Sequence, residues 1–217
     1  MAAATLTVSS KNYSSWSMRG WLMCKLAGID FEEVIVEPGD VDARAEILLL
    51  SPSILVPCLS YDGIRVWDTL AIAEFLHELT PDKGLWPRER VARAHARAIS
   101  GEMHSGFVSL RQALPFNMKG HFPGFKIWSK AQADIERVKT IWSECLSAYG
   151  GPFLFGAVSF ADAMYAPVVS RLRTYDVKLE PPLAAYAQTI WSLPAVEEWR
   201  EAAFAEKDEI EEMEVEF

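Results

Sequence analysis

A chain of 217 residues that is half hydrophobic can bury a sizeable core and has room for two domains of about 100 residues each. Its net charge of −9 is concentrated at one end, because residues 206–217 hold seven carboxylates against one lysine and so carry six of those charges. The body is close to neutral, which excludes a basic nucleic-acid surface and a cationic membrane-lying helix and leaves small molecules or proteins as partners.

No basic flank followed by an apolar stretch opens the chain, and no apolar run approaches the roughly 20 residues that span a bilayer, so a cytoplasmic protein is expected. Cys24, Cys58 and Cys145 are far apart and form no C-x-x-C pair, which speaks against a disulfide framework. The four histidines show no ligand spacing with one another or with the cysteines, so no metal site is expected.

In chain order, residues 5–9 alternate like a short strand. Asn12-Tyr13-Ser14-Ser15-Trp16-Ser17-Met18-Arg19 then leads into a helix over 17–27, with Trp21, Leu22 and Leu26 at helical spacing. The serines therefore sit at a helix N-terminus, where unpaired N–H groups and the helix dipole favour an anion such as a bound thiolate. Residues 31–36 read as a strand and 41–50 as a short helix. Segments 57–60 and 64–67 flank Tyr61-Asp62-Gly63, a hairpin signal, and 69–79 form a further helix.

Thr80-Pro81-Asp82-Lys83-Gly84-Leu85-Trp86-Pro87 breaks the pattern like an interdomain linker, and everything beyond it is helical in period. Residues 88–114 read as one long helix ended by Pro115. Trp128, Ala131, Ile135, Val138, Trp142, Cys145 and Tyr149 then form a stripe expected in the core. Ser159 and Asp162 read as a capping box that starts a helix. Short helices over 183–191 and 195–205 complete the chain.

Three elements of the first half carry chemistry: the serine turn, Ser51-Pro52-Ser53-Ile54-Leu55-Val56-Pro57-Cys58-Leu59, and Val66-Trp67-Asp68-Thr69-Leu70-Ala71-Ile72-Ala73. In this order, before a helical half, they resemble the cytosolic glutathione S-transferases, and the Ser14-Ser15-Trp16-Ser17-Met18-Arg19 string is most similar to the serine-type, zeta-class branch. The resemblance implies α/β plus all-α architecture: a thioredoxin-like domain over 1–80 that binds glutathione, an all-helical domain over 88–217, and a homodimer.

It also implies roles. Ser14, or its neighbour Ser15, donates a hydrogen bond to the glutathione thiolate, although serines here also serve as plain helix caps. A thioredoxin would have C-x-x-C at this turn; Ser14-x-x-Ser17 can only support a thiolate supplied from outside. The Val56-Pro57 peptide is cis, with the valine backbone pairing to the cysteinyl backbone of glutathione. Asp68 meets the γ-glutamyl ammonium and Thr69 its carboxylate, while Asp68 is equally a good N-cap. Ile54-Leu55 stands where many relatives carry Gly-Lys, leaving Arg44 or Arg111 to meet the glycyl carboxylate.

A second substrate is expected between the domains, near Tyr13, Trp16, Phe107, Arg111, Phe116 and Met118, although aromatic and Met residues are as often core. Trp16 replaces the cysteine of the zeta-class motif. The favoured reading is a transferase that adds the glutathione thiolate to a small, mostly apolar electrophile. The alternatives are a glutathione-dependent isomerase of the maleylacetoacetate isomerase type and a non-catalytic binding module on the same fold.

Overall fold

β1 (Ala4–Val8) lies inside a four-stranded sheet of order β2-β1-β3-β4, and its alternation puts Ala4, Leu6 and Val8 in the core. β2 (Phe31–Ile35) runs parallel to it, whereas β3 (Cys58–Tyr61) and β4 (Ile64–Trp67) are antiparallel to their neighbours. The hairpin joining β3 to β4 turns on Asp62 and Gly63, both at positive φ (48° and 79°), as a two-residue turn of type I′ requires. The structure is a computed structural model that describes residues 4–36 and 56–207. Arg44, Ile54, Leu55 and the short helix expected over 41–50 lie outside the described residues.

α1 (Ser15–Ala27) starts two residues before the expected position, so Ser15 and Ser17 are helical and Ser14 is the N-cap. Its buried set wraps almost around the helix, because the sheet covers one side and the second half of the chain the other. A helix buried all round shows little amphipathic pattern. α2 (Thr69–Leu79) packs beside it and completes a thioredoxin-like unit. The segment expected as a linker is packed too: after the 3-10 turn Pro81–Lys83, Leu85 and Trp86 are buried, and the Leu85 carbonyl accepts from Phe160 N–H at 2.9 Å.

The helical half comprises α3 (Arg90–Ser105), α4 (Val108–Ala113), α5 (Ser129–Tyr149), α6 (Phe160–Thr174), α7 (Pro181–Trp191) and α8 (Pro194–Ala205). The single helix expected over 88–114 is in fact two. The chain breaks at Gly106 and Phe107, where Phe107 takes φ 58° and a Cβ on Gly106 would lie 2.7 Å from the Glu102 carbonyl oxygen. Asp134 of α5 then accepts from Leu110 N–H at 2.9 Å, satisfying a first-turn donor of α4 from 24 residues away. The α5 stripe is core as expected except at its ends: Trp128 is 58% exposed and Tyr149 half-buried.

The capping box of α6 is present, with Ser159 N–H donating to the Asp162 carboxylate at 2.8 Å. α1 docks on α6 and α8 through Arg19 Nε to the Met164 carbonyl (2.8 Å) and an edge contact of Trp21 with Trp199 (5.4 Å between ring centroids). The buried tryptophans Trp21, Trp86, Trp142 and Trp199 anchor one continuous core across both halves. None of the described helices is long and apolar enough to cross a membrane.

Candidate functional site

Ser14 is half-buried at the start of α1. Its Oγ accepts from Ser17 N–H at 3.2 Å, so the capping role holds, and its hydroxyl donates to Ser17 Oγ at 2.8 Å. Ser17 is wholly buried and its Oγ also accepts from Ser9 N–H at 3.0 Å, which makes it the inner member of a short hydroxyl chain. The preceding loop is held by the far end of the protein. The Glu206 carboxylate accepts from Ser10 Oγ (2.7 Å), from Lys11 N–H and from Asn12 N–H (3.1 Å), while Trp199 Nε1 donates to the Lys11 carbonyl at 2.9 Å.

Ser15 faces inward. Its Oγ accepts from Arg171 Nη2 at 3.3 Å and its carbonyl from Arg19 Nη1 at 3.2 Å. Arg171 also donates to the Leu114 carbonyl, and Arg111 to the carbonyls of Met103 and, at 3.3 Å, His104. Three guanidiniums thus gather beneath the first turn of α1 on neutral oxygens. Burial, and next the charges of Arg111 and Arg171, hold Arg19 well below its ordinary pKa. Burial and then Arg111 push Arg171 down to about 9, and burial lowers Arg111 against the pull of Asp134. All three shifts record positive charge kept out of water, and those of Arg19 and Arg171 record like charge nearby as well. Trp16 lies among them, with Arg19 and Arg111 4.7 and 4.6 Å from its ring centroid and the His104 ring edge-on at 5.3 Å.

The second edge of the site is the start of β3 and of α2. Val56-Pro57 is cis, and Pro57 presses so closely on α1 that a Cβ on Gly20 would lie 2.5 Å from its Cγ. Asp68 caps α2 from positive φ (75°), its Oδ1 accepting from Leu70 N–H at 2.8 Å and from Ala71 N–H at 3.3 Å. Its Oδ2 accepts from His104 Nε2 of α3. Thr69 is buried, and its hydroxyl has no hydrogen-bond partner among the described residues. An orphaned buried hydroxyl is unfavourable by about 1–3 kcal/mol, a penalty that a carboxylate arriving at this helix start would remove.

His104, which the sequence pattern does not single out, therefore links Asp68, Trp16 and Arg111 at one corner, and Ser14 lies two residues before Trp16 at the same helix start. Phe107, buried at the break before α4, adjoins Arg111, whose N–H donates to its carbonyl at 3.1 Å. Tyr13 is buried beside the serine turn. Phe116 packs in the core beneath Arg171, whose guanidinium lies 5.6 Å from its ring. Met118 N–H donates to the Asn12 carbonyl at 3.1 Å and its sulfur meets Ser170 Oγ at 3.5 Å, so Met118 is core and faces a different cavity. Arg111, considered for a glycyl carboxylate, lies against Trp16 and donates from Nη2 to the Met103 and His104 carbonyls, while its buried Nε has no hydrogen-bond partner among the described residues. Among the described residues no cluster of three or more His, Cys, Asp or Glu side chains is placed to hold a metal. Burial pushes the Cys24 and Cys145 thiols up to about 12, which removes them as nucleophiles.

Comparison with known proteins gives consistent likenesses. Residues 13–79 match the family profile described as "Glutathione S-transferase, N-terminal domain", and residues 92–202 match "Glutathione S-transferase, C-terminal domain". The chain is 32% identical over 172 residues to the maleylacetoacetate isomerase of Rattus norvegicus, covering 77% of this chain and 78% of that one. It is 29% identical over 170 residues to a probable maleylacetoacetate isomerase of Caenorhabditis elegans, with 77% and 79% covered. Among solved structures, a glutathione transferase homologue from Burkholderia with bound glutathione superposes with a TM-score of 0.70 at 24% identity, over 94% of this chain and 99% of that one. A Tau class glutathione S-transferase from mango gives 0.71 at 17% identity, over 93% and 96%.

Proposed function

Because the chain belongs to the glutathione S-transferase family, we propose that it binds glutathione along the cis Val56-Pro57 segment and the start of α2, ionises the thiol beside Ser14, and delivers the thiolate to a small electrophile. The observation that carries this reading is the Ser14 hydroxyl at a helix N-terminus, with buried Ser17 behind it and three guanidiniums below. If both hydroxyls reverse, Ser17 donates to Ser14 and Ser14 donates outward to sulfur, without breaking the Ser17 N–H bond that caps the helix. A hydrogen bond to a charged group contributes about 1.5–3 kcal/mol and a helix N-terminus about 0.3–1 kcal/mol. At about 1.36 kcal/mol per pKa unit, these two contributions lower the bound thiol by roughly one to three units.

In this reading Asp68 and Thr69 receive the γ-glutamyl end, Ser15 positions Arg171, and Trp16, Phe107 and Arg111 border the space for the electrophile. The chain works as a homodimer, and light scattering at micromolar concentration tests that directly. A second reading, glutathione-dependent isomerisation, is favoured by the names of the rat and nematode relatives. There the same thiolate adds to a double bond and is expelled after rotation, so glutathione is returned and not consumed.

The deciding experiment is Ser14→Ala. The ultraviolet absorbance of the bound thiolate at neutral pH falls, and the rate of thiolate attack drops roughly tenfold to a hundredfold. Equal thiolate absorbance in both proteins overturns the assignment of Ser14.

A further inference from the structure

Glu206 closes α8 and turns back onto the loop that leads into Ser14. Its N–H donates to the Ala203 carbonyl at 3.2 Å, and its own carbonyl accepts from Lys119 Nζ at 2.6 Å. Its side chain reaches Ser10, 196 positions earlier in the chain. The donors it meets on this loop are all neutral: Ser10 Oγ at 2.7 Å, Lys11 N–H, and Asn12 N–H at 3.1 Å.

Nearly every amide of the loop depends on that carboxylate. The N–H groups of Lys11 and Asn12 go to it directly. That of Tyr13 goes to Ser10 Oγ at 3.2 Å, which is free to accept because its proton points at Glu206. That of Ser14 goes to the Ser10 carbonyl at 3.0 Å. A carboxylate suits this place because it accepts from several donors at once, and bonds to it are roughly twice as strong as those between neutral groups. Residues 118 and 119 hold the other side, with Met118 N–H donating to the Asn12 carbonyl at 3.1 Å and Lys119 N–H to Asn12 Oδ1 at 2.9 Å. Ser14 leaves this clamp as the N-cap of α1, and its extended backbone (φ −98°, ψ 92°) sets the direction of its Oγ.

We propose that Glu206 is a positioning residue for the thiolate, holding residues 10–14 so that the Ser14 hydroxyl is aimed at the glutathione sulfur; this rests on the reading of Ser14 as the donor. A misplacement of about 1 Å near a reacting centre can cost roughly a hundredfold in rate, so the aim of one hydroxyl matters. The direction of the effect is diagnostic. A carboxylate acting only as a nearby charge opposes a thiolate, and its removal would lower the thiol pKa. Loss of a positioning residue raises it.

The ultraviolet absorbance of glutathione bound to the full chain, followed from about pH 5 to 9, reads the thiol without a second substrate. Glu206→Ala is expected to move this titration upward by about one pH unit, a tenfold loss of thiolate below the midpoint. Glutathione affinity by calorimetry stays within about threefold, because Val56, Asp68 and Thr69 lie on the other edge of the site. Glu206→Gln keeps one acceptor oxygen and moves the titration the same way by less, which decides the matter if the alanine variant does not fold. In a Ser14→Ala background Glu206→Ala has no further effect. Glu198→Ala, which breaks the 2.7 Å ion pair of α8 with Lys25 on α1, leaves the titration in place. Absence of an upward shift in the folded Glu206 variants, or an equal shift in the Ser14→Ala background or in Glu198→Ala, overturns the proposal while Ser14→Ala alone still lowers the thiolate. If Ser14→Ala leaves the thiolate unchanged, the Ser14 assignment falls and this proposal with it.

Discussion

His104 on α3 donates to one oxygen of the Asp68 carboxylate while the other oxygen caps α2, so a single side chain joins the start of a helix in one half of the protein to the other half. Asn in place of Asp68 keeps a capping oxygen but removes the charge. Glutathione affinity is expected to weaken by about 1–3 kcal/mol, with only a small change in melting temperature. Calorimetric titration alongside thermal melting checks this. A lower melting temperature with unchanged affinity would reduce Asp68 to a structural role.

Gly20→Ala sets two known effects against each other. Alanine favours a helix interior over glycine by up to about 1 kcal/mol, but its Cβ would lie 2.5 and 2.7 Å from the Pro57 ring carbons. Overpacking of this kind is unfavourable by about 1–3 kcal/mol, so the variant is expected to lose stability in urea unfolding. Glutathione affinity falls with it, because the ring that must move adjoins Val56.

Arg171→Met removes a buried guanidinium and its repulsion of Arg19, yet leaves the Leu114 carbonyl and the Ser15 hydroxyl unmatched. Loss of the desolvation penalty and loss of the hydrogen bonds are of similar size, so stability is expected to change by less than about 2 kcal/mol. Activity behaves differently. With less positive charge beneath the serine turn, the bound thiol titrates at higher pH, and the rising limb of the pH–rate profile moves upward. An unmoved profile would show that the arginines do not act on sulfur.

Asp162 gives the fold a pH dependence. Burial raises its pKa to about 6, against the opposing hydrogen bonds from Leu154 N–H, Ser159 and Tyr186. The folded state therefore binds the proton more tightly than the unfolded chain. The associated stability is fully present below about pH 4 and is lost as pH rises through about 6, a swing on the order of 3 kcal/mol. Denaturant unfolding from pH 4.5 to 7.5 should show this decline, and Asp162→Asn should lack it while being less stable throughout.

Local chemistry made much of the architecture readable. Asp62-Gly63 can turn a hairpin by itself, and Ser159 with Asp162 announces a helix start within four residues, so both appear where expected. The break at Gly106-Phe107 was hidden because its reasons are distant: the donor at Leu110 is satisfied by Asp134, and Arg111 reaches back to Met103 and Trp16. His104 was missed for the same reason, since nothing near it in sequence marks it and its partner Asp68 lies 36 residues earlier. Ser17 read as one of three capping hydroxyls, and only its burial behind Ser14 distinguishes it. Trp128 shows the converse error, because a helical stripe gives the face of a residue but not how far the neighbouring helix extends to cover it.

The grip of Trp199 and Glu206 on Lys11 and Asn12 has a bearing on how the protein is made. Synthesis proceeds from the N-terminus, and early domains fold first on the ribosome. The loop before Ser14 nevertheless acquires these hydrogen bonds only after residue 206 has left the exit tunnel. A growing chain therefore carries an unfinished serine turn until residue 206 has emerged, and the setting proposed for the thiolate is completed only once α8 has folded.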